Sequence, residues 1–91
     1  MTDDLTMLGD EQLADLIGEL DEDERSMSKR RARLHDRMDF LRGGGAQHSP
    51  VASEQLRQLE DEERRLSDAR RELHARLTAA HAERTRRRRA A

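Results

Sequence analysis

Apolar residues recur at every seventh position on both sides of a run of three glycines, and few folds survive that constraint. Before Gly43-Gly44-Gly45 the series reads Leu13, Leu20, Met27, Leu34, Leu41; after it the series reads Leu59, Leu66, Leu73, Ala80. A period of seven keeps one stripe of an α-helix turned toward a partner helix, and a short break supplies that partner from the same chain, running the other way. The pattern predicts an all-α fold, an antiparallel two-helix coiled-coil hairpin. Composition points the same way. Of the 91 residues, 33% are apolar and 42% charged, with Phe40 the single aromatic, which cannot fill a globular core but can fill one narrow seam.

Local signals set the expected boundaries. Residues 1–9 form an N-terminal segment. The first helix runs over 10–42, opened by Asp10 as N-cap, with Leu8 placed to pack against Leu13 or a neighbour. A glycine linker over 43–49 ends in Ser49-Pro50, a cap followed by a first-turn proline. The second helix covers 50–86, and a basic tail, 87–91, frays beyond it.

A companion series lies beside the first and carries an anomaly. It reads Ile17, Glu24, Arg31, Met38 in one helix and Leu56, Glu63, Arg70, Leu77 in the other, so each helix has two charges where a coiled coil wants hydrophobes. In a hairpin turning near residue 47, Glu24 lies near Arg70 and Arg31 near Glu63. These charges belong to a longer signature: Glu24, Ser28, Arg31 and His35 recur 39 residues later as Glu63, Ser67, Arg70 and His74. Aligning 17–41 with 56–80 gives eight identities, as expected of a duplicated helix. At about 100° per residue, positions 24, 28, 31, 35 and 39 fall within an arc of roughly 80°, a polar stripe along one flank of the seam.

Two readings of the stripe compete. The charges can be ion pairs that only fix register, leaving a structural coiled-coil interaction module. Ser28 and His35 and their copies are not needed for pairing, which favours a ligand. Arginine matches phosphate or the O6/N7 edge of guanine, and carboxylates accept from guanine's N1–H and amino group. Serine and histidine reach phosphate or ribose oxygens.

The signature resembles that of the RsiG family of actinobacterial anti-sigma factors, E-x3-S-x2-R-x3-Q-x3-D. Glu24, Ser28, Arg31 and Asp39 match its first copy; Glu63, Ser67 and Arg70 match the second. His35 and His74 stand where the family has glutamine, a change that keeps a side-chain hydrogen-bond donor or acceptor at that place. Thr78 stands where it has aspartate, and a hydroxyl does not replace a carboxylate at guanine's donor edge. The resemblance extends over about 70 residues, both helices. It implies two long antiparallel helices that bind a pair of cyclic di-GMP molecules and, when loaded, sequester a sigma factor of the WhiG/flagellar type. The departure at Thr78 leads to the expectation that the second site is asymmetric or weaker, with Asp39 supplying most of the guanine selectivity. Both copies are on one chain, so a monomeric hairpin suffices, with a homodimeric four-helix assembly left open.

Partner contacts fall to the apolar residues off the seam, Leu5, Met7, Leu8, Leu16, Phe40 and Val51, with Phe40 equally suited to cap the hairpin end near the glycines. Other functions find less support. No cysteine is present, so thiolate metal ligands and disulfides are excluded, and His35, His48, His74 and His81 lack metal-ligand spacing. Gly43–Gly45 lacks the Lys and Ser/Thr of a phosphate loop, and a two-helix rod encloses no pocket, so no enzyme is expected. No apolar run suits a membrane span or signal peptide, and the expected location is the cytoplasm. Charge is segregated: residues 1–24 hold ten acids and no Lys or Arg, whereas Arg84 and Arg86–Arg89 crowd the end. In a hairpin these ends meet and neutralise each other. A nucleic-acid arm is the alternative, but it lacks aromatics for base stacking.

Overall fold

In a computed structural model, which describes residues 4–45 and 49–90, the chain is an antiparallel hairpin of two long helices. A 3-10 turn, Leu5–Met7, precedes α1, Asp10–Phe40; a π-helical turn, Leu41–Gly45, leads toward α2, Pro50–Ala90. The rod measures 63 × 20 × 16 Å. Forty-one residues at about 1.5 Å each account for that length, so α2 alone spans the molecule. No described helix is long and apolar enough to cross a membrane.

The start of α1 departs from expectation by one residue. Gly9 is the cap, and its N–H donates to Gln12 Oε1 at 2.8 Å. Asp10 becomes the first helical residue, where its charge faces the positive helix end and is free to pair with Arg87. Leu8 then precedes the cap, the position from which a residue staples onto Leu13, and it packs on the core that Leu13 anchors. At the other helix start, Ser49 Oγ accepts from the Ala52 N–H at 3.3 Å, with Pro50 in the first turn.

The turn and the tail also differ. Regular α-helix ends at Phe40, and winding continues as a wider π turn through Gly45 instead of breaking at Gly43. The Leu41 N–H is shared between the Arg37 and Met38 carbonyls, and continued winding keeps Leu41 in the seam, 5% exposed. His48 lies outside the described residues. The expected fraying beyond 86 is absent to Ala90, because Arg87 is anchored on the other end of the chain.

Packing is uneven along the rod. Leu13, Ile17 and Leu20 of α1 bury against Leu73, Leu77 and Ala80 of α2, with Leu5, Leu8, Leu16 and Met27 packed around them. Near the turn Leu34, Met38 and Leu41 are buried, but Leu56, Leu59 and Leu66 of α2 are half-exposed. Between these stretches lie the four seam charges. Met7, Phe40 and Val51 project into solvent, so Phe40 does not cap the hairpin end.

Candidate functional site

Antiparallel pairing of two identical motifs assembles them crosswise. Glu24 Oε1 accepts from its own helix, Ser28 Oγ at 3.0 Å, and from α2: an Arg70 guanidinium nitrogen at 3.2 Å, with His74 Nε2 at 3.3 Å. Glu63 Oε1 does the same in reverse. Ser67 Oγ donates from α2 at 2.8 Å, Arg31 Nε from α1 at 3.5 Å, and His35 Nε2 lies at 3.4 Å. Each quartet therefore joins the Glu–Ser half of one motif to the Arg–His half of the other. A pseudo-two-fold axis across the rod relates them.

The electrostatics follow from these contacts. Arg70, then Ser28, hold the Glu24 carboxyl below its ordinary range; Ser67, then His35, do the same for Glu63, with Arg31 adding to it. Both glutamates are charged at neutral pH, and each faces one guanidinium, so the middle of the rod is balanced. The balance is not symmetrical in its tightness. Arg70 is 22% exposed and its Nε is buried with no acceptor, whereas Arg31 is 42% exposed and holds Glu63 at the edge of hydrogen-bond distance.

Both arginines open onto one groove. A surface recess of about 240 Å³ is lined by Ser28, Arg31, Ala32, His35, Asp36 and Arg70. Its guanidinium groups and imidazole are donors suited to phosphate and base edges, and Arg70 Nε is a donor already stripped of water. Of the ten residues read from the sequence, Glu24, Ser28, Arg31, His35, Glu63, Ser67, Arg70 and His74 meet in the quartets. Asp39 and Thr78 do not: both are exposed. Asp39 sits one turn beyond His35 toward the glycines, and Thr78 one turn beyond His74 toward the opposite end. Counted along the paired helices, these two lie about 35 Å apart. Asp36, which lines the groove, escaped sequence reasoning because it is one position off the repeated stripe and has Ala75 as its counterpart. Among the described residues no cluster of side chains suits a metal ion.

A family model described as RsiG-like matches residues 1–57, more than half of the chain. The chain belongs to the RsiG-like family. The match takes in the whole first signature, Glu24 to Asp39, and ends before Glu63. In this RsiG-like chain the second signature therefore rests on the internal duplication and on the crosswise pairing. No curated protein and no solved structure matches the chain.

Proposed function

We propose that this RsiG-like hairpin is an anti-sigma factor that binds a pair of cyclic di-GMP molecules along its polar middle and, so loaded, sequesters a sigma factor of the WhiG/flagellar type. It acts as a cytoplasmic binding module and not as an enzyme. The observation that carries the reading is the crosswise site: two copies of one donor–acceptor set, related by a two-fold axis, with both arginines opening on a shared groove. Cyclic di-GMP has two-fold symmetry of its own and a negative charge on each phosphodiester. Its phosphates would draw Arg31 and Arg70 off the glutamates, freeing carboxylate oxygens for guanine's N1–H and amino donors. Ligand would then supply the packing that the seam lacks at this level. Affinity for the partner would rise with nucleotide, and by linkage affinity for nucleotide would rise with partner.

Isothermal titration calorimetry tests this directly, with cyclic di-AMP and GTP as controls and with sigma factor added in a second series. Selective uptake of a pair of cyclic di-GMP molecules per chain, abolished by Arg31→Ala, supports the reading; silence in both series refutes it. The cross-helix pairs Glu24–Arg70 and Glu63–Arg31 also favour a second reading, a structural coiled coil whose pairs set register. That reading expects Ser28→Ala/Ser67→Ala to change nothing, whereas ligand recognition expects weaker nucleotide binding.

A further inference from the structure

The end of the rod remote from the glycines carries a second feature that the nucleotide reading does not use. Arg87 reaches from α2 to the start of the chain and donates to the Leu5 and Leu8 carbonyls at 2.9 and 2.7 Å and to Asp10 Oδ1 at 2.9 Å. Glu83, only 8% exposed, orients it with an acceptor oxygen at 3.2 Å and also takes two hydrogen bonds from Arg86. This latch ties the 3-10 turn and Leu8 to α2. The held segment forms one wall of a groove of about 360 Å³, lined by Asp4, Leu8, Gln12, Asp15, Leu16 and Glu19.

The groove has an apolar floor and an acidic rim. Leu8 and Leu16 are half-buried on the core cluster, and Asp15 and Glu19 are exposed. From Asp4 to Glu24 the chain holds nine carboxylates and no Lys or Arg. At about 100° per residue the stripe of Gln12, Asp15, Leu16 and Glu19 is rotated from the nucleotide stripe by roughly 140°, so an occupant would leave the nucleotide groove open.

We infer that this groove docks a basic amphipathic helix of a partner protein, leucine-like residues on its Leu8–Leu16 floor and Lys or Arg against its rim. Charge complementarity selects that occupant. A second copy meeting the same face across a two-fold axis would set carboxylates against carboxylates, and an anionic membrane would be repelled. Arg87 is a positioning residue: it touches no occupant but builds the wall. The inference rests on the capture role proposed above only for which protein supplies the helix.

The test uses the full chain and two synthetic peptides of one Leu/Lys composition, one amphipathic as a helix and one scrambled, with binding read by fluorescence anisotropy. The expected result is binding of the amphipathic peptide alone, weakened at least about tenfold by Leu16→Glu and by Asp15→Lys/Glu19→Lys. Arg87→Met should weaken it too while circular dichroism shows the helices intact. Cyclic di-GMP titrations of the same variants should match wild type, so loss of nucleotide binding in the parent would sink the capture reading and leave the groove standing. Equal binding of the scrambled peptide, no binding, or indifference to Leu16→Glu overturns the inference. So does self-association in sedimentation that Leu16→Glu abolishes, since the occupant would then be the basic end of a second copy.

Discussion

Replacing Glu24, Arg31, Glu63 and Arg70 together by leucine should make the hairpin more stable and blind to nucleotide. The four positions continue the companion seam, of whose four flanking members Ile17, Met38 and Leu77 are 4%, 5% and 8% exposed and Leu56 is half-exposed. A leucine buried to that degree contributes about 1.5–3 kcal/mol, and allowance for a compact unfolded chain leaves about 4–7 kcal/mol for four. The surrendered ion pairs return little of this, because their side chains keep 20–42% of their exposure and are screened by solvent. In a chain of this size each kcal/mol moves Tm by about 4–8 °C, so a rise of at least about 15 °C is expected in thermal unfolding followed by circular dichroism. Cyclic di-GMP, which should raise the Tm of wild type, should leave the variant's Tm unmoved. A variant no more stable than wild type would show that the polar middle is not a gap in the seam. A variant that still binds nucleotide would show that the quartets are not the site.

Leu20→Ala, at 2% exposure in the larger core cluster, should cost about 2–5 kcal/mol in denaturant unfolding, and Leu66→Ala, half-exposed, clearly less. Glu83 is held by Arg86 and Arg87 at about 2 against the usual 4.5, and a depressed carboxylate stabilises above its unfolded pKa and ceases to as pH falls through the folded one. Melting temperature should therefore be level from neutrality to about pH 5 and drop between about pH 4.5 and 2, with Glu83→Gln flattening the lower part of that drop. Exchanging partners, Glu24→Arg with Arg70→Glu, keeps the cross-helix charge pair but places the acid away from Ser28. Helicity and sedimentation should survive the exchange while calorimetry shows nucleotide binding lost; retained binding would favour mere register setting. Asp39→Ala should erode discrimination between cyclic di-GMP and cyclic di-AMP more than it erodes cyclic di-GMP binding, and unchanged discrimination would remove Asp39 from guanine recognition.

The hairpin and its register were legible because period and duplication are properties of the chain itself. Leu13, Leu20 and Leu34 at sevens define the seam, and one turn position then opposes Glu24 to Arg70 and Arg31 to Glu63. The completed quartets were not legible, because the reach of Ser28 and His74 to one glutamate oxygen depends on rotamers of two helices at once. Arg87 looked like one member of a solvated run. Its function is set by carbonyls of Leu5 and Leu8, some eighty positions away, which no local pattern announces. The π turn escaped for a related reason: three glycines signal a break, but burial of Leu41 rewards one more turn of winding first. Asp36 shares the groove yet not the repeat, and repetition was the signal in use.

Crosswise assembly also explains why a charged middle is tolerable in so thin a fold. In each helix Glu and Arg are seven residues apart, so an antiparallel partner with the same motif satisfies both pairs in one register and neither in any other. A slip by one residue would turn the side chains of either helix by about 100° and break both quartets together. That cooperativity gives the register more definition than its leucines alone provide, since Leu56, Leu59 and Leu66 are half-exposed. The two ends are pinned separately, by Leu41 in the winding turn and by the Arg87 latch. The middle can therefore be weak without the helices sliding. On the nucleotide reading proposed above that weakness would be useful, since guanidinium groups balanced only by partly exposed carboxylates are the ones a phosphate can recruit.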